Sequence, residues 1–156
     1  MQRDLSDLLN GGPILPALSC TSVKQVFSRL SSELSKVTGV SERDIVHAIL
    51  EREQLGSTAV GHGVVLPHAR LPGLSSAIGG FARLTEPLDF DAVDEQPCDL
   101  VFMLLAPDGA GAEHLRALAK VARVMRQPKI RDALRQATAV ETVQDIFSSN
   151  LASSPV

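Results

Sequence analysis

GSTAVGHGVVLPHARLPG, residues 56–73, is the segment that the rest of the chain is predicted to support. Its four glycines allow the backbone to approach a ligand closely or to adopt a positive φ. The apolar residues 64–66 between them are typical of a short buried strand. Pro67 favours an extended conformation in the residue before it. His68 is therefore expected at the carboxyl end of this strand, where open α/β sheets bind ligands.

The composition indicates one globular domain. The chain has 156 residues, 44% hydrophobic and 21% charged, which is enough for a substantial core. We expect a single domain over residues 1–156, with its core at about residues 5–147 and a flexible tail at residues 148–156. The net charge of -3 argues against a nucleic-acid partner. No apolar run has the length of a membrane span or a secretory signal. Cys20 and Cys98 are too few for a disulfide framework, so we expect core cysteines in a cytoplasmic protein.

Strand-like and helix-like segments alternate along the chain, which predicts an α/β fold with helices covering a sheet. Residues 14–20 are expected at a sheet edge, because Pro16 would be poorly tolerated in a central strand. Residues 78–84 form a second predicted strand, in which consecutive glycines permit close packing. The continuously apolar residues 100–106 are typical of a central strand that is buried on both faces.

Capping patterns and helical spacing predict the helices. Ser22 and Ser41 begin patterns that are typical of capped helix N-termini, and Leu55 is expected to face the core at the end of the second helix. A later helix is expected to bury Leu115 on its apolar face. Thr138 begins the pattern that predicts the cap of the last helix.

The residues favour phosphoryl chemistry over the alternatives. His62 and His68 are six residues apart and lie in no recognised metal-binding pattern. No lysine-bearing phosphate loop occurs, and Ser57 does not lie in a nucleophile elbow. A histidine nucleophile beside Arg70, with His114 available elsewhere, would suit phosphoryl transfer, which needs mainly positioning and charge stabilisation. These residues alone leave a structural histidine and a functional one both open.

Three segments together resemble the fructose/mannitol-type enzyme IIA domain of the bacterial phosphotransferase system. They are REQLGST at residues 52–58, GVVLPHAR at residues 63–70 and EHL at residues 113–115. The run PLDFDAVDEQP at residues 87–97 is more similar to the nitrogen-regulatory branch of that family. The resemblance implies an α/β fold made of a mixed sheet flanked by helices.

The resemblance also implies roles for individual residues. His68 would be the phosphoacceptor, taking its phosphoryl group from a histidine on an HPr-like carrier (NPr). Arg52 would neutralise phosphate charge, and His114 would contact the phosphate or orient the acceptor. His62 departs from the polar non-histidine residue expected at its position, and His47 matches nothing in the family pattern. No cofactor or metal is implied. The predicted phosphate-binding loop contains Ser57, Thr58 and Gly63.

Two functions remain open at this point. The first is a regulatory phosphoacceptor whose phosphorylation state controls target proteins. We expect no membrane insertion, and homo-oligomerisation remains open. The alternative is a freestanding sugar-specific enzyme IIA that passes the phosphoryl group to an enzyme IIB for fructose or mannitol uptake. An inactive binding module of the same fold is disfavoured by the three intact site residues. The acidic residues 89–95 are expected to form a solvated connection, which could lie near the rim of the site.

Overall fold

The computed structural model of the chain describes residues 8–9 and 11–151. Strands and helices are interleaved, as the sequence predicts, so the α/β class is confirmed. The elements in chain order are β1 (Ile14–Leu18), α1 (Val23–Thr38), α2 (Glu42–Gln54), β2 (Ala59–Gly61), β3 (Val64–Val65), β4 (His68–Leu71), β5 (Ile78–Leu88), β6 (Cys98–Pro107), α3 (Gly111–Met125), α4 (Pro128–Gln136) and α5 (Val140–Leu151).

The six strands form one mixed sheet with the order β1-β5-β6-β3-β2, and β4 pairs with β6 beyond the end of β3. The β1–β5, β3–β6 and β4–β6 pairs are parallel, whereas β2–β3 and β5–β6 are antiparallel. The edge position of β1 and the central position of β6 confirm the two predictions made from Pro16 and from the apolar residues 100–106. Because β4 pairs only with β6 among the described strands, the other edge of β4 is open.

Two apolar cores lie on opposite faces of the sheet. Alternate residues of β6 enter them, with Val101, Met103 and Leu105 in the core that also contains α1 and α2 residues. Leu100, Phe102 and Leu104 enter the core that contains residues of α3, α4 and α5. The continuous apolarity of β6 thus reflects burial on both faces. Close packing on the neighbouring strand requires glycine, since a Cβ on Gly79 would lie 2.7 Å from the Phe102 ring.

The helix predictions are confirmed in part. Ser22 and Ser41 cap α1 and α2 by accepting backbone hydrogen bonds from Gln25 and Asp44. Leu55 was wrongly expected to face the core: it follows the last turn of α2 and is 83% exposed.

The end of the chain also differs from the prediction. The hydrogen bond from Val143 N to Ala139 O shows that α5 begins at Val140, one residue later than a cap at Thr138 would place it. Residues 148–151, predicted to be part of a flexible tail, are helical. Residues 152–156 of that tail, and Leu5 at the start of the predicted core, lie outside the described residues. None of the helices in the described part of the chain is long and apolar enough to cross a membrane.

Both cysteines are free and buried in the core, as predicted. Burial raises the pKa of the Cys98 thiol to about 11. A thiol whose pKa is raised in this way stays protonated and is a poor nucleophile, because the thiolate is the reactive form.

Candidate functional site

An open cleft of about 950 Å³ runs along the free edge of β4, between α2 on one face of the sheet and α3 on the other. It brings together side chains that are up to 78 positions apart in the sequence, from Val40 to Leu118. The six that matter for its chemistry come from three elements: His47 and Arg52 from α2, His68 and Arg70 from β4, and His114 and Leu115 from α3.

His68 lies at the start of β4 rather than at the end of the strand before it. The extended chain does not stop at Pro67 but continues along β6, with His68 opposite Leu104. Position 68 therefore lies at the start of an edge strand of the sheet, where α2 and α3 approach the open edge, and not at the end of the preceding strand as predicted. Pro67 itself contributes its carbonyl, which accepts a hydrogen bond from Leu104 N at 2.9 Å.

The tautomer of His68 follows from one contact. Its Nδ1 lies 2.9 Å from the backbone oxygen of Leu66. A carbonyl oxygen can only accept, so Nδ1 must carry the proton and donate it. The neutral ring then has its lone pair on Nε2, and that nitrogen is the nucleophilic one.

The pKa of His68 is lowered from its usual value, mainly because the half-buried ring loses solvation. The hydrogen bond to Leu66 and the carboxylate of Glu53 raise the pKa, while the Arg52 cation lowers it. The net lowering keeps the ring neutral near pH 7, and a neutral imidazole is the form that can attack phosphorus.

His114 faces His68 across the cleft, with ring centroids 5.5 Å apart and ring planes at 90°. The residue is 6% exposed, and within the described chain its Nε2 has no hydrogen-bond partner. Burial lowers the pKa of His114 to about 4, with smaller contributions from His68 and Arg70. Such a buried, unpartnered nitrogen costs free energy, and a polar group bound beside His68 could supply the missing partner.

This pKa predicts that the protein loses stability as the pH falls. Between pH 6.5 and about 4, His114 is neutral in the folded chain and protonated in the unfolded chain. The unfolded state then binds more protons, so stability decreases as the pH decreases. A shift from 6.5 to about 4 corresponds to about 3 kcal/mol, since each pKa unit is worth about 1.4 kcal/mol. Urea unfolding at several pH values should show this loss.

A His114→Gln variant should have a flatter pH dependence of the free energy of unfolding. The matched control is His47→Gln, which removes an exposed histidine and should retain the steep dependence of the wild type. Parallel curves for the wild type and His114→Gln would show that His114 is not the residue responsible.

Two arginines approach the cleft from different sides. Arg52 lies in the last turn of α2 and donates from Nη1 to the oxygen of Gly56 at 3.0 Å. Arg70 lies two residues after His68 on β4, and its Nη1 would be 3.3 Å from a Cβ on Gly111, at the start of α3. The cations beside His68 therefore lie on both walls, which suits the binding of an anionic group.

The residues of the predicted phosphate-binding loop do not line this cleft. Ser57 donates from its hydroxyl to the oxygen of Phe90 at 2.6 Å. The hydroxyl of buried Thr58 donates to the carboxylate of Glu53. Both hydroxyls are therefore already bonded to other acceptors in the fold.

Gly63 belongs to a different surface, the turn between β2 and β3. His62 and Gly63 have φ values of 58° and 80°, as the two central residues of a type I′ hairpin turn require. A Cβ on Gly63 would overlap Arg135, which binds Asp99 through two nitrogens and donates to the oxygen of His62. The glycine is thus needed for the turn, and His62 serves the same turn outside the cleft.

The acidic residues 89–95 also differ from the prediction of a solvated connection near the rim of the site. Phe90 and Ala92 within residues 89–95 are buried, so the segment is anchored to the core rather than fully solvated. Its acidic side chains do not line the cleft around His68. Asp94 instead accepts a hydrogen bond from His62 N at 3.0 Å. The carboxylates that do line the cleft are those of Asp44, Glu51 and Asp108.

Sequence reasoning missed several cleft residues. His47 lies on the α2 wall, 3.3 Å from Glu51. Leu55 and Leu115 are exposed apolar residues on the two walls, at 83% and 68%. The spacing of Asp44, His47, Glu51 and Leu55 by three or four residues would have indicated a shared helix face. Leu115 was wrongly expected in the core, because the buried stripe of α3 instead contains His114, Ala117, Val121, Val124 and Met125.

Comparisons with known proteins relate the whole of this architecture to one family model. The model described as "Phosphoenolpyruvate-dependent sugar phosphotransferase system, EIIA 2" matches residues 7–150. A protein named nitrogen regulatory protein, from Bradyrhizobium diazoefficiens, is 45% identical over 144 residues, which cover 92% of this chain and 94% of that protein.

A second relative carries a different name. The fructose-specific EIIA component of the phosphotransferase system of Haloferax volcanii is 39% identical over 110 residues, covering 70% of this chain and 71% of that protein. Among solved structures, the nitrogen regulatory protein IIA-Ntr from Neisseria meningitidis superposes with a TM-score of 0.87. It is 36% identical, and the match covers 92% of this chain and 98% of that one.

Proposed function

The chain belongs to the EIIA 2 family of the phosphoenolpyruvate-dependent sugar phosphotransferase system, and from this premise we propose that it is a cytoplasmic, phosphoryl-accepting regulatory protein. His68 takes a phosphoryl group from a phosphohistidine on an HPr-like carrier (NPr), and its phosphorylation state controls target proteins. Arg52 and His114 assist the transfer, and no metal or cofactor takes part. The chain is then a component of a phosphoryl relay rather than a metabolic enzyme.

The observation that carries this proposal is the hydrogen bond from His68 Nδ1 to the oxygen of Leu66 at 2.9 Å. It leaves the lone pair of Nε2 free on a ring that lines an open cleft. A nucleophile whose tautomer is fixed before the substrate arrives needs less reorganisation in the transition state.

Phosphoryl transfer in this site balances without an added acid or base. The Nε2 lone pair forms a bond to phosphorus while the bond from phosphorus to the carrier nitrogen breaks, and that electron pair returns to the carrier ring. His68 keeps its Nδ1 proton, so the phosphorylated ring is cationic and continues to donate to Leu66 O. Donor and acceptor are both imidazoles, so alignment and charge stabilisation are the remaining requirements.

The walls of the cleft supply groups suited to that charge. Arg52 is a planar cation that can present two parallel donors to phosphate oxygens. His114 is neutral near pH 7 because of its low pKa, about 4, so it can donate one hydrogen bond without adding a charge. The phosphoryl group would provide the partner that its buried nitrogen otherwise lacks.

A regulatory role is favoured over transport by the names of the similar proteins. The Bradyrhizobium relative and the Neisseria structure, at 45% and 36% identity, are both nitrogen regulatory proteins. The fructose-specific Haloferax relative, which covers a smaller share of this chain, keeps the transport function as the second candidate.

The test is to incubate the purified chain with a phosphorylated HPr-type carrier and to measure its intact mass. We expect one phosphoryl group per chain, lost in acid and retained in base, and none with the unphosphorylated carrier. Absence of any mass shift would contradict the proposal.

A second arm of this experiment adds a fructose-type enzyme IIB to the phosphorylated protein. Retention of the label on the chain supports the regulatory function. Rapid and complete transfer to the enzyme IIB would instead support the transport function.

A further inference from the structure

We propose that Thr58, held by Glu53, is a positioning residue that fixes the Leu66 carbonyl and thereby selects the tautomer of His68. This inference rests on the proposed role of His68 as the phosphoacceptor. It gives Thr58 a function that acts through the backbone of a neighbouring segment instead of through contact with the phosphate.

A continuous series of hydrogen bonds connects Glu53 to His68. The carboxylate of Glu53 accepts from the hydroxyl of Thr58. The backbone oxygen of Thr58 accepts from Leu66 N at 3.0 Å. The backbone oxygen of Leu66 accepts from His68 Nδ1 at 2.9 Å. The two polar backbone groups of Leu66 are thus held by Thr58 on one side and by the imidazole on the other.

The direction of these bonds follows from the sheet. Residues on either side of Leu66 face β6, where Val65 lies opposite Val101 and the oxygen of Pro67 accepts from Leu104 N. Leu66 presents its own N–H and carbonyl to the opposite edge. Thr58 directly precedes β2, whose pairing with β3 ends there. The His68 ring therefore takes the donor position that a further strand would otherwise provide.

The anchoring of Thr58 also links the nucleophile to the α2 wall. Thr58 is 6% exposed, and its hydroxyl is satisfied by a residue in the last turn of α2. That residue, Glu53, directly follows Arg52, which carries the proposed phosphate-binding cation. The hydrogen bond from Thr58 to Glu53 thus fixes the position of the helix end that bears Arg52 relative to the peptide that orients His68.

Loss of this arrangement should affect the ring of His68 specifically. If the Leu66 carbonyl turns away, Nδ1 no longer has an acceptor that requires it to be protonated, and the proton can move to Nε2. In that tautomer the nitrogen that points to the phosphoryl donor has no lone pair. The proposal therefore predicts a change in the tautomer together with a slower transfer.

The test compares Thr58→Val with Thr58→Ser and with the wild type. Thr58→Val keeps the shape but removes the hydroxyl, and Thr58→Ser retains the hydroxyl. Nitrogen-15 NMR of the imidazole rings reports the tautomer of His68, and transfer from a phosphorylated HPr-type carrier reports the rate. We expect Thr58→Val to reduce the Nδ1-protonated fraction and to slow transfer about three- to tenfold, the range that one net hydrogen bond supports. Thr58→Ser should restore both.

The matched control is Thr21→Val, which removes a hydroxyl that bonds Gln25 at the start of α1. It should leave the His68 spectrum and the transfer rate unchanged. If Thr58→Val does not fold by circular dichroism, Glu53→Ala removes the same hydrogen bond from its other end and is measured in its place.

The outcomes separate this inference from the proposed function. An unchanged His68 tautomer in a folded variant that lacks the Thr58–Glu53 bond overturns the positioning role, whether or not transfer slows. Failure of the wild type to accept a phosphoryl group overturns the proposed function alone, because the NMR comparison does not need phosphorylation.

Discussion

A His68→Ala variant is expected to accept no phosphoryl group from a phosphorylated HPr-type carrier. The variant lacks the Nε2 lone pair that forms the bond to phosphorus. Alanine has no side-chain atom that can act as the covalent nucleophile in its place. His68 is half-buried at the open edge of β4, and its side chain makes a hydrogen bond only to the Leu66 oxygen among the described residues. The fold should therefore tolerate the substitution, which circular dichroism can verify.

The measurement is the intact mass after incubation with the carrier, followed by peptide mapping of any labelled protein. His62→Asn is the matched control, since it replaces a histidine in the β2–β3 turn by a residue that tolerates positive φ. This control should be labelled fully. Full labelling of His68→Ala would move the acceptor to another residue, and His114 would be mapped first because it is the histidine that faces the cleft opposite position 68.

The sequence was sufficient to predict most of the fold because the relevant signals are local. The apolar residues 100–106 predicted a central strand, and Pro16 predicted an edge strand. Ser22 and Ser41 predicted two helix starts, because a cap is formed by residues three positions apart. Each of these features depends on neighbours along the chain, so a single sequence contains the information.

The faces of elements near the cleft could not be predicted in the same way. Leu55 and Leu115 fit apolar helix patterns, yet both are exposed on the cleft walls. They stay exposed because β4 ends the sheet on that side and, in the described part of the chain, no further strand covers the edge. An apolar pattern shows which residues are suited to burial, whereas the tertiary arrangement decides which are buried.

The prediction that the site residues lie together came from a different source. Arg52, His68 and His114 come from three elements, and composition or spacing could not place them in one cleft. The resemblance to a family supplied that expectation, and all three side chains line the same cleft in the structure. Gly63 was grouped with them wrongly, because a glycine-rich segment has the same composition whether it binds a ligand or forms a tight turn.

The second large expected effect concerns the groups that surround the acceptor. Arg52→Ala and His114→Ala should each slow phosphoryl transfer about a hundred- to a thousandfold, the usual result of removing one preorganised donor from a developing charge. The labelled residue should remain His68 in both variants. Single-turnover transfer from the phosphorylated carrier, quenched in base, measures the rate, and peptide mapping identifies the labelled residue. Arg43→Ala removes an exposed arginine of the same helix outside the cleft and should transfer at the wild-type rate.

Arg52→Lys distinguishes charge from geometry. Lysine retains the positive charge, but its ammonium group cannot reproduce the planar donors of a guanidinium. It also cannot be expected to keep the bond from Arg52 to the oxygen of Gly56, which fixes the position of the side chain beside His68. We therefore expect a rate between those of Arg52→Ala and the wild type. A wild-type rate for Arg52→Lys would show that the cleft needs only a cation at this position, and wild-type rates for both alanine variants would remove Arg52 and His114 from the transfer mechanism.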